Sequence, residues 1–278
     1  MKLSHLQKHL TQTLADAGIE AADQEARLIL ETRLELSWAD LISQGDREVD
    51  PSSAESDLQK RISGMSLGRI YGQKNFYGLD FTLSPDTLEP RADTEILIDI
   101  ARHIYKEKPP ETILDLGTGT GCILLALLHS FPQARGLGID KAAGAVATAQ
   151  QNALNLKMSA RAVFQQGDWA SGITERFDLV VSNPPYIDSG VIPVLAEEVR
   201  NHDPILALDG GIDGMDAYEK IFSQLGMILS PGGTALFEIG YDQSRKIMRL
   251  AETYSLNLKT IHPDSAGRAR VAEMSARA

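Results

Sequence analysis

The 278-residue chain is 43% apolar and 23% charged, with a formal net charge of -11, the balance of a water-soluble globular protein of one large domain or two unequal ones. Its single cysteine, Cys122, excludes a disulfide framework, and no apolar run approaches membrane-spanning length. The acidic surface lacks a Lys/Arg run, so stable nucleic-acid binding is not expected, because gripping a phosphate backbone needs cations that release its counterions.

The six histidines have no metal-ligand spacing, so no metal site is expected. The first residues, Met1 to His5, lack an apolar signal core, and with a lone cysteine the expected location is cytoplasmic, with no membrane partner. From Met1 to about Tyr71 there is no strand signal, and residues 1–74 are expected to form a helical domain. Leu3, Leu6, Leu10, Leu14 and Ala17 recur at helical spacing up to Gly18, which ends the first helix. A second helix is expected from Glu20 to about Leu36, with Ala26, Ile29, Leu30 and Leu34 on its apolar side. A third begins at Asp50-Pro51-Ser52-Ser53 and carries Leu58, Ile62 and Met65. These stripes describe a small helical domain, either a substrate-docking module or a structural cap.

Residues 75–90 change grammar. Phe76, Tyr77, Leu79, Phe81 and Leu83, broken by Gly78 and by Ser84-Pro85-Asp86, read as a β-hairpin linking two regions. Asp93-Thr94-Glu95 then opens a helix with acidic residues in its first turn. From Thr112 the chain alternates strand and helix, the pattern of a doubly wound parallel sheet, so residues 91–278 are expected to form one α/β domain. Expected strands are Thr112–Leu116, Arg135–Asp140, Ala162–Gly167, Phe177–Ser182, Gly233–Ile239, Leu258–His262 and Val271–Ser275.

Chemistry is concentrated at the ends of those strands, where α/β sheets bind ligands. Asp115 lies in the first, and Gly117-Thr118-Gly119-Thr120-Gly121 follows it. A Gly-rich turn between strand and helix lets a ligand lie against bare backbone. The dinucleotide fingerprint G-x-G-x-x-G/A fails at its last position, where Cys122 stands. Cys122 has no His–Asp pattern beside it that would make it a nucleophile. Asp140, about twenty residues further on, is placed to bind ribose hydroxyls, which suits any nucleoside cofactor. Asp168 can accept from an adenine amino group and Trp169 can cover its ring; equally, Asp168 can cap a turn and Trp169 can be core.

Asn183-Pro184-Pro185-Tyr186 closes the fourth strand. Two prolines force the backbone out of the sheet at Asn183 and fix a carboxamide there. The Asn183 oxygen and the Pro184 carbonyl can accept both hydrogens of a planar NH2 group, and Tyr186 can pack on its flat face. A substrate nitrogen of an amide or a nucleobase fits such a set. A long insertion follows, with Glu197-Glu198-Val199-Arg200 and Gly210-Gly211-Ile212-Asp213-Gly214, which read as a solvated helix and turns, or as functional loop.

These segments together resemble the PrmC/HemK family of protein-glutamine N5-methyltransferases that modify peptide chain release factors. The resemblance runs through Glu89-Pro90-Arg91-Ala92-Asp93-Thr94-Glu95, the glycine turn, Asp140, Asp168-Trp169, Asn183 to Tyr186, Glu198 to Asn201, Ala207-Leu208, Gly214 and Gly267-Arg268. Ala92 stands where proline is usual, and His202-Asp203-Pro204 where Tyr-Glu-Pro is common. The resemblance implies a Rossmann-like S-adenosylmethionine (SAM) methyltransferase sheet, yielding S-adenosylhomocysteine. It places SAM on Asp115, Gly117 to Gly121, Asp140, Asp168, Trp169 and Asn183. It places the glutamine of a Gly-Gly-Gln motif on Asn183, Pro184, Pro185 and Tyr186, of which Asn183, Pro184 and Tyr186 are catalytic. Two other acceptors share this chemistry: a ribosomal protein glutamine and a nucleic-acid amino group. A SAM-binding scaffold without turnover would be expected to carry a damaged Asn183 motif, and this one is intact.

Overall fold

The computed structural model describes residues 1–277, which divide into two compact units, Met1–Gly72 and a second from Gln73 onward. In the first unit α1 (Leu3–Asp16), α2 (Ala22–Leu34), α3 (Trp38–Ser43), α4 (Ser52–Ile62) and α5 (Leu67–Tyr71) enclose one apolar core. Leu3, Leu6, Leu10 and Leu14 are buried as their spacing requires, with Ile29 and Leu30 opposite them. Ala17 and Ile62 fall at helix ends and are exposed. Periodicity does not reveal α3, which is only six residues long and begins in a capping box between Ser37 and Asp40. Inside this unit Asp57 is 1% exposed and takes a two-pronged ion pair from Arg33, at 2.5 and 2.9 Å.

The second unit opens with an antiparallel hairpin, β1 (Gln73–Phe76) and β2 (Leu79–Thr82). Phe76 and Phe81 are buried in the core of this unit, and Asn152 binds both the N–H and the C=O of Thr82, so the hairpin is an integral part of it. A short 3-10 turn (Ala92–Thr94) leads into α6 (Glu95–Ile104). The chain then runs β3 (Thr112–Leu116), α7 (Cys122–Ser130), β4 (Arg135–Asp140), α8 (Ala143–Asn155), β5 (Ala162–Gln166) and β6 (Phe177–Ser182). The insertion holds α9 (Glu197–His202) between two 3-10 turns. Then come α10 (Asp216–Ile228), β7 (Leu229–Glu238), α11 (Ser244–Thr253), β8 (Leu256–Pro263) and β9 (Ala269–Ala276).

The seven strands lie in the order β5-β4-β3-β6-β7-β9-β8, the first five parallel and β9 antiparallel to both its neighbours. Apolar residues cover both faces of the sheet, with α6, α7 and α8 contributing to one core and α10 and α11 to the other. The strand order reverses between β3 and β6, which are sequence-distant neighbours. Connections leave the two strands toward opposite faces there, and a crevice opens beyond their carboxyl ends.

Candidate active site

Register decides which residues meet in that crevice. Leu116 is paired with Ile139 on one side and with Ser182 on the other, and Ser182 is paired in turn with Phe237. The next residues, Asp140, Gly117, Asn183 and Glu238, therefore leave the sheet side by side. Asp140 is paired with Gln166 at the end of β5, which brings Asp168 and Trp169 to the same edge. Residues far apart in sequence are thus gathered by strand pairing alone.

Two adjoining cavities occupy the crevice. The larger, about 300 Å³, is lined by Gly117, Thr118, Gly119, Thr120, Asp140, Asp168, Trp169, Asn183 and Pro185, among others. The smaller, about 210 Å³, is lined by Asn183, Pro184, Tyr186 and Glu238, with Leu195, Val199 and Leu208 from the insertion. Asn183 belongs to both and forms part of the wall between them.

The glycine turn is held before any ligand arrives. The N–H groups of Gly117 and Thr118 both donate to the Ile139 carbonyl, at 2.8 and 3.0 Å, and Gly119 N–H donates to Asp140 Oδ2 at 2.8 Å. Gly117, Gly119 and Gly121 all have positive φ, between 54° and 79°. A Cβ on Gly121 would lie about 3.1 Å from Phe164, whereas one on Gly119 would meet nothing within 4 Å: this glycine faces the open cavity. The bare cradle at Gly119, with a carboxylate beside it, fits the nucleoside part of SAM.

Two residues expected to touch the cofactor do not line the cavity. Asp115 is fully buried behind the turn, where its Oδ2 accepts from the Thr118 hydroxyl at 2.6 Å. Burial pushes its carboxyl up to about 7, opposed by that hydrogen bond and reinforced by nearby Asp140. Asp115 is a brace for the loop, and so is Gly121, packed against Phe164 and Ala149. Asp140 is also raised by burial, with the N–H groups of Ala142 and Gly119 opposing. Asp168 is exposed at the rim, and Trp169 combines two roles left open by the sequence: it packs on the core and lines the cavity.

The Asn183–Tyr186 segment is clamped on both sides. Asn183 Nδ2 donates to Thr94 Oγ1 at 3.3 Å, and the Thr94 hydroxyl donates to Glu238 Oε2 at 2.6 Å. The Tyr186 hydroxyl donates to Glu238 Oε1 at 3.4 Å. Burial raises the Tyr186 hydroxyl above its ordinary range, with the Glu238 charge adding to this and Arg270 opposing, so the phenol keeps its proton. The buried Gln243 donates from Nε2 to the carbonyls of Tyr186 and Gly214, at 3.0 and 3.1 Å.

The glycines of the insertion are more than turns. Ile187 N–H donates to Leu208 O, and Gly210 N–H returns the bond to Ile187 O at 2.8 Å. Gly214 has φ +74°, and a Cβ there would lie 2.3 Å from the Tyr186 carbonyl oxygen and 2.7 Å from Gln243 Nε2. Gly214→Ala is therefore expected to cost about 2–4 kcal/mol, combining strained backbone with overpacking. Denaturant titration checks this; an unchanged midpoint would mean that the turn moves aside freely.

The segment Glu89–Glu95 is a row of polar pins around the two cavities. Glu89 pairs with Lys74 at 2.7 Å, Arg91 with Asp203 at 2.5 Å and Asp93 with Arg270 at 3.1 Å; Thr94 reaches Asn183 and Glu238, and Glu95 accepts from Tyr77 N–H. Asp203, in the His202-Asp203-Pro204 departure, still makes the bond to Arg91 that ties the insertion to the rim. Ala92 begins the 3-10 turn. Sequence reasoning gives no role to Thr94, Glu238, Gln243 or Arg270. One signal is present: Glu238 follows the fully buried apolar run Ala235-Leu236-Phe237 at the end of β7, and a carboxylate there must have partners.

Comparison with known proteins agrees with this architecture. Residues 93–206 match the family model described as Methyltransferase small domain, and residues 5–72 match the PrmC N-terminal domain. A release factor glutamine methyltransferase of Bradyrhizobium diazoefficiens is 42% identical over 253 residues, which cover 89% of this chain and 85% of the relative. Its counterpart in Rhodospirillum rubrum is 43% identical over 257 residues, covering 91% and 79%. Among solved structures, the ribosomal protein L11 methylase of Lactobacillus delbrueckii subsp. bulgaricus superposes with a TM-score of 0.53 at 20% identity, over 70% of this chain and 84% of that one, a likeness of fold alone. The methyl donor is SAM. With such identity along nearly its whole length, the chain belongs to the release factor glutamine methyltransferase family.

Proposed function

We propose that this chain methylates the side-chain amide nitrogen of the glutamine in the Gly-Gly-Gln motif of peptide chain release factors, and so supports translation termination. The observation that carries the proposal is the pair of adjoining cavities with the Asn183 carboxamide on the wall they share. In this reading Gly117, Thr118, Gly119, Thr120 and Asp140 hold SAM, with Asp168 and Trp169 at the adenine end. Asn183, Pro184, Pro185 and Tyr186 form the acceptor site. When bound, SAM supplies a methyl group on a sulfonium, already activated for transfer.

The chain's own task is to make a poor nucleophile adequate. An amide nitrogen has its lone pair delocalised into the carbonyl. Asn183 Nδ2 is committed to Thr94, so its Oδ1 is the end available to an acceptor NH2. With the Pro184 carbonyl it takes both amide hydrogens and aims the nitrogen at the neighbouring cavity. Those bonds strengthen as the nitrogen gains positive charge, which is stabilisation directed at the transition state. The methylated nitrogen is then strongly acidic and passes its proton to water, so no strong base is needed. Tyr186, kept neutral by burial, packs against the planar amide as an apolar surface.

A protein acceptor is supported by the apolar insertion that supplies part of the second cavity's lining and exposes Val194, Ile205 and Leu206. The helical unit is assigned in this proposal to docking that protein. The net charge of -11 speaks against a polynucleotide acceptor. Incubation of the chain with SAM and purified release factor, followed by mass spectrometry of the Gly-Gly-Gln peptide, is expected to show one added methyl on the glutamine. Methylation of ribosomal RNA or a ribosomal protein in its place would refute the assignment.

A further inference from the structure

We infer that a two-bond relay from Glu238 through Thr94 dictates which end of the Asn183 carboxamide faces the methyl acceptor, making Thr94 and Glu238 positioning residues for methyl transfer. The inference rests on the proposal above that Asn183 Oδ1 receives the acceptor NH2. A carboxamide is nearly symmetric in shape, so nothing steric stops Asn183 from turning over and presenting its NH2 instead. An NH2 aimed at an amide nitrogen would repel its hydrogens and remove the acceptor that orients it. Some neighbour has to impose the direction.

The hydrogen bonds available at this point have one consistent direction. The Glu238 side chain is buried, 2% exposed, between Thr94 and Tyr186. As a carboxylate it only accepts, so Thr94 must spend its single hydroxyl proton on Glu238 Oε2, at 2.6 Å. Toward Asn183 the Thr94 oxygen then has only lone pairs, and the group it faces there must be a donor: Nδ2, at 3.3 Å. Tyr186 likewise spends its proton on Glu238 Oε1. One buried carboxylate thereby sets the polarity of both polar side chains at the tip of β6.

Burial raises the Glu238 carboxyl above its ordinary range, with Asp93 adding to the rise; the hydrogen bonds from Thr94 and Tyr186 and the Arg270 charge favour its ionised form against that. Arg270, 9% exposed, is held from outside by Asp93 at 3.1 Å and by Asp264 at 3.2 Å. Asp264 in turn organises the β8–β9 turn by accepting from the N–H groups of Ala266 and Arg268, both at 2.9 Å. The Gly267-Arg268 turn thus connects to the acceptor site through Asp264, Arg270 and the field at Glu238.

The test uses the full-length chain, with release factor as acceptor and calorimetry for SAM. Thr94→Val and Glu238→Met each break the relay and are expected to lower kcat about 10–100-fold, the scale of a misoriented reacting group, with SAM affinity little changed. Thr94→Ser keeps the hydroxyl and Glu238→Gln keeps an oxygen that accepts from it, so both are expected to stay within about fivefold of wild type. The double variant Thr94→Val/Glu238→Met is expected to be no slower than the worse single one, because both act through one device; additive losses would instead mean two independent structural effects. Thermal unfolding identifies any variant that fails to fold, and Glu238→Met and Thr94→Val are read separately for that reason. A readout free of the acceptor is the 15N-resolved side-chain amide of Asn183: one of its protons is expected to be slowed in exchange in wild type and released in Thr94→Val. Full kcat in both relay-breaking variants, or an Asn183 amide indifferent to Thr94, overturns the relay. If wild type leaves release factor unmodified, the acceptor assignment falls, and the Asn183 amide signal still decides the relay.

Discussion

Asn183→Ala is expected to lower kcat by about 10²–10³-fold, the loss typical of removing one preorganised group that meets charge developing in the transition state. SAM binding is expected to stay within about threefold of wild type, because Asn183 forms only one edge of the larger cavity, whose glycine turn is fixed independently by Ile139 and Asp140. Single-turnover methylation of release factor and calorimetry with SAM separate the two quantities. The split matters more than the size. An interaction made only as the nitrogen becomes cationic affects kcat and kcat/KM together and leaves cofactor binding alone. Equal losses in turnover and in SAM affinity would mean that Asn183 is a cofactor ligand and that the second cavity is not the acceptor site.

Much of this site is legible in the amino-acid sequence, and the reason is backbone chemistry. Glycines at 117, 119 and 121 and prolines at 184 and 185 restrict what the chain can do, so their positions announce a nucleoside-binding turn and an abrupt strand exit. The sheet is equally readable, since β3 and β6 are short, largely buried and bounded by such breakers. Lateral order is not written there. That Glu238 stands beside Asn183, and Asn183 beside Gly117, follows from β6 lying between β3 and β7, a fact of pairing with no local signature. Asp115 is expected at the cofactor by the family resemblance, and only its burial and the bond it accepts from Thr118 show it turned behind the loop. The pins of residues 89–95 are long-range partnerships, from Lys74 to Arg270, and the segment taken by itself reads as no more than an acidic helix start.

Asp140→Ala is expected to do the opposite of Asn183→Ala. Asp140 already accepts from Gly119 N–H at 2.8 Å and Ala142 N–H at 2.9 Å, so its carboxylate is aimed and partly desolvated before the cofactor arrives. A half-buried carboxylate carries unused acceptor capacity at high value: each charge-assisted bond it makes to a ribose hydroxyl is worth about 1.5–3 kcal/mol. Removing it also frees the Gly119 N–H, and with it one restraint on the turn. SAM affinity is therefore expected to fall by about 10²-fold, with kcat at saturating SAM within about fivefold of wild type, since no atom of Asp140 reaches the second cavity's lining. Asp140→Asn, which retains one accepting oxygen, is expected to fall between the two. Calorimetry and initial rates across a SAM titration check this. A lowered kcat at saturation would mean that the cofactor's placement, and not only its residence, depends on the end of β4; in that case the two cavities are coupled through the glycine turn, and Gly119, which Asp140 holds and beside which a Cβ would meet nothing, is where that coupling would have to pass.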